Sequence, residues 1–167
     1  MQLFNLGEIK AQNKNILVSR YQTTGEIAGA IVHAIKESEP TAQKIKQYFQ
    51  NADKKTSAKM IFIFCKNLLP YKKESADRQT ARTMNRIIQD AKKGGDCKHF
   101  ATLTATLCKV LGIKCKLRLI SQSAYTKQPN HIYTVAIIDG KEVIIDCVLK
   151  SFDTEARYNS KTDIKIN

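Results

Sequence analysis

The dipeptide Asp139-Gly140, set between two β-rich runs in NHIYTVAIIDGKEVIIDCVL, constrains this chain more than any other feature. Asp-Gly in that setting predicts a two-residue type I′ turn, which needs positive φ at both central positions. The turn sets the register. Ile138 faces Lys141, Val135 faces Ile144, Tyr133 faces Asp146 and His131 faces Val148. Side chains alternate along each strand, so His131, Tyr133, Val135 and Ile137 share a face with Glu142, Ile144, Asp146 and Val148. His131 and Asp146 become diagonal neighbours, roughly 7–8 Å apart at the backbone and within side-chain reach. A slip of one residue would put them on opposite faces.

A second segment, KKGGDCKHFATLTATLCKVLGIK, places a thiol where chemistry can use it. Gly94, Gly95 and Asp96 lead into a run with helical apolar spacing at Phe100, Leu103, Leu107, Val110 and Leu111. Cys97 therefore stands at or near a helix N-terminus, where unpaired N–H groups and the macrodipole favour an anion. A thiolate is the reactive form of cysteine, and a helix start is one of the places that favour it. Asp96 reads as the helix N-cap. Lys98 and His99 read as solvent-facing residues of the first turn. With His131 and Asp146, the thiol completes the composition of a nucleophile, its base and the group that orients the base.

From about Asp77 to Asp146 the chain resembles the transglutaminase-like superfamily, a branch of the papain-like cysteine enzymes. The resemblance rests on Gly95-Asp96-Cys97 opening a helix, Leu111-Gly112-Ile113 closing it, His131 opening a strand, and Asp139-Gly140-Lys141 before Asp146. The chain departs from the family pattern in carrying Lys98 after the Cys, Glu142 where a Trp is common, and Cys147 after the Asp. The resemblance implies a Cys97–His131–Asp146 triad and thiol acyl transfer. Water as acceptor would make a protease or amidase, an amine a transglutaminase, and the substrate a peptide or protein. It also implies an oxyanion site built from the Cys97 N–H and a side-chain donor upstream of it. Gln79 and Gln89 are the candidates. The alternative is the same fold reused without catalysis, as a structural part of a phage particle or a nucleoprotein complex.

Length and composition allow one domain with a substantial core. The order of patterns suggests an N-terminal segment over 1–22, a transglutaminase-like domain over 23–150 and a polar tail over 151–167. No apolar run approaches the ~20 residues of a membrane span, and the N-terminus lacks a secretory pattern, so a cytoplasmic protein with no membrane partner is expected. Five cysteines without a C-x-x-C pair fit a reduced compartment. No metal-ligand spacing or cofactor motif is present in the sequence, so neither metal nor cofactor is expected. The net charge of +13 admits an acidic protein or a nucleic-acid-containing assembly as partner. Arg78, Arg82 and Arg86, at four-residue spacing, are the candidate polyanion-binding stripe on a helix read over DRQTARTMNRIIQDAKK.

Upstream, helices are expected over GEIAGAIVHAIKES and PTAQKIKQYF, broken at Glu39-Pro40, and over SAKMIFIFCKNLL, apolar nearly all round. Strands follow over KCKLRLIS and the hairpin. Helices first and strands last argue an α+β fold, with the Cys97 helix packed on a C-terminal antiparallel sheet through Val135 and Ile144. The resemblance implies the same papain/transglutaminase-like arrangement.

Overall fold

Helices lead and strands close the chain in the computed structural model, which describes residues 6, 9, 15–18, 24–75 and 79–166. A short strand, β1 (Asn15–Val18), precedes a long helix, α1 (Thr24–Ile45). The break expected at Pro40 does not occur, and α1 runs through it. A proline inside a helix forfeits one backbone bond and costs about 3 kcal/mol. Here Ile31 and Ile35 before it and Ala42 and Ile45 after it form one buried stripe, and that burial outweighs the loss. Ser38 supports the same turn, donating to the Ala34 carbonyl (2.5 Å) and accepting from the Met84 N–H (2.8 Å).

Helix α2 (Lys54–Leu68) is capped by Asp53, which accepts from the N–H groups of Lys55 and Thr56. It is one-sided rather than apolar all round. Ile61, Phe62, Phe64 and Cys65 are buried while Met60 and Ile63 reach the surface. The single helix expected over Asp77–Lys93 is replaced by a strand, β2 (Gln79–Arg82), a short helix, α3 (Met84–Gln89), and one 3₁₀ turn. The cause is local. The Glu74 carboxylate accepts from both the N–H (2.7 Å) and the hydroxyl (2.5 Å) of Thr80, which holds the segment extended to pair antiparallel with β1. Arg82 and Arg86 consequently lie on different elements and form no helical stripe, and Arg78 lies outside the described residues.

Helix α4 (Cys97–Val110) is central and packs on a four-stranded antiparallel sheet of order β5-β4-β3-β6. Strands β3 (Cys115–Ser121), β4 (His131–Ile138) and β5 (Lys141–Ile145) carry the expected segments. The hairpin register is the predicted one, with Ile138 opposite Lys141 and Val135 opposite Ile144. Asp139 and Gly140 take φ of 50° and 75°, as a type I′ turn requires.

The sheet face that α4 covers is the other one. Ile132, Thr134, Ala136 and Ile138 meet the helices, with the Thr104 and Thr134 hydroxyls 2.8 Å apart, while Val135 and Ile144 cluster with Ile120 and Tyr133 on the far face. Ala136 leaves room for the helix, and the Thr134 hydroxyl bonds it directly, donating to the Ala101 carbonyl (3.3 Å) beside its contact with Thr104, which Val135 and Ile144 could not do. The expected C-terminal tail is also corrected, because β6 (Ser160–Lys165) pairs with β3 along its whole length. Its anchor is Arg118, 1% exposed, which bonds Asp163 on β6, Glu142 on β5 and Glu155 between them. Two of these acids sit beyond residue 150, and with Glu142 they compensate a charge that would otherwise be buried alone.

Candidate active site

The two glycines before Cys97 set the site. Gly95 exchanges backbone bonds with the end of α2, donating to the Pro70 carbonyl (3.0 Å) and accepting from the Lys72 N–H (2.8 Å). A methyl group on Gly95 would lie 2.8 Å from Leu69 Cδ2 and 3.0 Å from His99 Cβ, so any side chain here would have to displace both. Asp96 then caps α4, accepting from the Lys98 N–H (3.2 Å), and its own N–H donates to His99 Nδ1 (3.1 Å). The result is a capping box in which histidine takes the place usually held by Glu or Gln.

His99 is therefore fully buried rather than solvent-facing, and its Nε2 lies 3.3 Å from the Thr80 hydroxyl. Lys98 is buried as well. Its ammonium bonds Gln79 Oε1 (2.7 Å) and the Asp96 carboxylate and approaches Glu74 (3.6 Å). Burial opposes the charge on Asp96, but the adjacent His99 imidazole and the Lys98 cation prevail and lower its pKa to about 2. These partners converge from separate segments, which is why the first turn of α4 reads as solvated in the sequence.

Cys97, at the first position of α4, is half-buried in a cleft of about 360 Å³. His131, the first residue of β4, lines the same cleft with Val148 and Leu149. Strand β5 stops opposite Thr134, so the start of β4 is open on that side. There His131 Nε2 lies 2.7 Å from Asp146 Oδ2, the diagonal contact that the hairpin register predicts. Nδ1 is the ring nitrogen that this bond leaves free. Burial alone would lower the His131 pKa. The hydrogen bond to Asp146, together with the influence of the neighbouring Cys97 thiol, outweighs it and raises the value to about 9. Asp146 itself is buried and accepts from the Val148 N–H (3.1 Å), which fixes the carboxylate.

The remaining candidates separate. Gln79 lines the cleft, but its amide donates to the Ser75 carbonyl (2.8 Å) and its oxygen accepts from Lys98. Gln89 is exposed at the end of α3 and does not line the cleft. Tyr71 was not singled out in the sequence. It forms a parallel bridge with Gly95 and borders the cleft. Burial, then the negative charges available at Cys97, Asp96 and Asp146, raise its pKa, so the phenol stays a neutral donor. An aromatic residue following the helix-ending Pro70 was the one available signal. Among the described residues, no cluster of three or more His, Cys, Asp or Glu could hold a metal ion. No described helix is long and apolar enough to cross a membrane.

Comparison with known proteins agrees with the fold. A crystal structure of a proposed protease from Parabacteroides distasonis superposes with a TM-score of 0.56 at 15% identity, over 70% of this chain and 26% of that one. One of a proposed cysteine protease from Cytophaga hutchinsonii gives 0.49 at 18% identity, over 80% and 48%. The chain thus spans about a quarter and about half of their lengths. No curated protein matches it in sequence. The sequence model of the transglutaminase-like superfamily matches residues 27–147, and this chain belongs to that superfamily.

Proposed function

We propose that this protein is a thiol acyl-transfer enzyme acting on a peptide or protein, with Cys97 as nucleophile, His131 as general acid–base and Asp146 as the residue that orients the imidazole. The observation that carries this reading is the 2.7 Å His131–Asp146 bond, beside a thiol at a helix N-terminus in an open cleft. Cys97 passes its thiol proton to His131, the sulfur attacks the substrate carbonyl carbon, and the carbonyl π pair moves to oxygen. In this reading the Cys97 N–H at the start of α4 and the phenol of Tyr71, which borders the cleft, donate to that oxyanion. Collapse of the intermediate expels the amine, which takes its proton from His131 and leaves an acyl-thioester. Water or an amine, deprotonated by His131, then releases the acyl group and the thiol.

The test combines alkylation and acylation. Iodoacetamide should modify Cys97 faster than Cys115, the other cysteine that is not fully buried. His131→Ala should slow modification of Cys97 by about 100-fold and leave Cys115 unchanged. An activated acyl ester should leave a mass adduct on Cys97. Tyr71→Phe should lower its turnover by about 10²-fold or more without changing alkylation, because the phenol acts on the oxyanion and not on the thiol. Equal alkylation of Cys97 in both proteins, with no acyl adduct, would favour the non-catalytic assembly role, whether in a phage particle or a nucleoprotein.

A further inference from the structure

A second groove, of about 500 Å³, opens beside the Cys97 cleft, and Lys73 and Glu74 line both. The strip that joins them is fixed, because the Lys72 N–H donates to the carbonyl of Gly95, two residues before Cys97 (2.8 Å). Five cations, Lys72, Lys73, Arg82, Arg86 and Lys93, face two carboxylates in the groove. Their surroundings differ. Arg82 is held by Glu74 (2.9 Å), the Gly94 carbonyl (3.2 Å) and the Thr80 hydroxyl (3.3 Å). Arg86 and Lys93 share Asp90, at 2.7 and 2.9 Å. Lys72 and Lys73 are exposed and have no ion-pair partner among the described residues.

We propose that this groove receives an acidic stretch of the peptide substrate, with its carboxylates against Lys72 and Lys73 while the reacting carbonyl lies at Cys97. The proposal rests on the acyl-transfer reading only for which bond the bound peptide presents. The chemistry favours a peptide over a nucleic acid. A phosphate backbone binds best along a continuous track of uncompensated cations, and here Glu74 and Asp90 interrupt the track and leave two adjacent lysines. Two lysines suit one or two side-chain carboxylates on an extended chain that continues into the cleft.

Fluorescence anisotropy at low salt tests this, using the full chain carrying Cys97→Ser so that binding is read without chemistry. The probes are a short glutamate-rich peptide, its glutamine counterpart and a single-stranded oligonucleotide of the same length. The acidic peptide should bind about tenfold tighter than the neutral one. Lys72→Glu/Lys73→Glu should abolish that preference, while Lys54→Glu/Lys59→Glu, remote on α2, should leave it. In protein with the thiol intact, the same charge reversal should raise KM for an acidic acyl substrate and leave kcat unchanged. Equal binding of acidic and neutral peptides overturns the proposal, as does a preference that survives the Lys72/Lys73 reversal. Tighter binding of the oligonucleotide, lost on that reversal, assigns the groove to nucleic acid instead. Acidic-peptide binding without any acylation of Cys97 keeps the groove and removes the enzyme reading, and acylation without acidic preference does the opposite.

Discussion

His131 is where opposing electrostatic effects are largest in the site. Burial disfavours its charge, yet the bond to Asp146 and the nearby Cys97 thiol hold the folded-state pKa near 9, above the ordinary 6.5. A raised pKa contributes stability that is fully present below about pH 6.5 and lost as pH rises through about 9. The shift corresponds to about 3 kcal/mol, as an upper bound for a group at the rim of a cleft. Asp146→Asn removes the carboxylate that raises it. Urea denaturation across pH 6 to 10 should show wild type losing stability relative to the Asn variant over that window, with the two curves parallel elsewhere. Parallel curves throughout would mean that Asp146 does not raise the pKa of the imidazole.

At the scale of elements, the approach between the α2–β2 connection and the start of α4 decides where Cys97 points. Gly95 sits in van der Waals contact with Leu69 and His99, and its backbone bonds tie the end of one element to the cap of the next. Gly95→Ala forces a methyl group into that contact and should cost about 1–3 kcal/mol, the range for overpacking a filled site. Because His99 is the other half of the capping box, its displacement should also disturb the first turn of α4. The expected readout is a lowered denaturation midpoint, together with a slower Cys97–iodoacetamide reaction under conditions where the protein is still folded. A full loss of stability with normal alkylation of the folded fraction would mean that the cap tolerates the shift.

The whole molecule is closed by a charge. Arg118 is buried on the outer sheet face, and Asp163, Glu142 and Glu155 reach it from β6, β5 and the loop between them. Tyr133 donates its hydroxyl to Glu155 (2.8 Å), so the loop is held from two sides. The three acids hold the Arg118 pKa above its ordinary value, and Arg118 in turn draws the Glu142 and Asp163 pKa values down to about 2. Arg118→Met leaves Glu142 and Asp163 with Lys116 as their remaining cation (2.6 Å to each) and Glu155 with the Tyr133 hydroxyl, and all three carboxylates are partly exposed and can recover some hydration. The expected loss is about 2–3 kcal/mol, below that of a fully buried pair. Hydrogen exchange should show β6 amides opening first while β4 stays protected. Uniform loss of protection across the sheet would contradict a role confined to holding the last strand.

Sequence alone determined what short-range physics controls. Asp139-Gly140 admits one tight turn, a period of two then assigns every side chain in the hairpin to a face, and the His131–Asp146 contact follows from that arithmetic. The helix start at Cys97 was legible for the same reason, since glycine, an N-cap acid and apolar spacing act within one or two turns. Tertiary structure decided whatever depends on partners far away in the chain. Pro40 stays inside a helix because both of its flanks are buried, and residues 79–82 are extended because Glu74 and β1 hold them. Lys98 and His99 are buried because Glu74, Gln79 and Thr80 fold over them, and residues 160–165 form a strand because β3 offers an edge and Arg118 a charge. The same holds for the side of the sheet that α4 covers. Alternation sorts residues into two faces, but which face is buried against a helix depends on what that helix meets there, and the small Ala136 and the Thr134 hydroxyl, bonded to α4, set that.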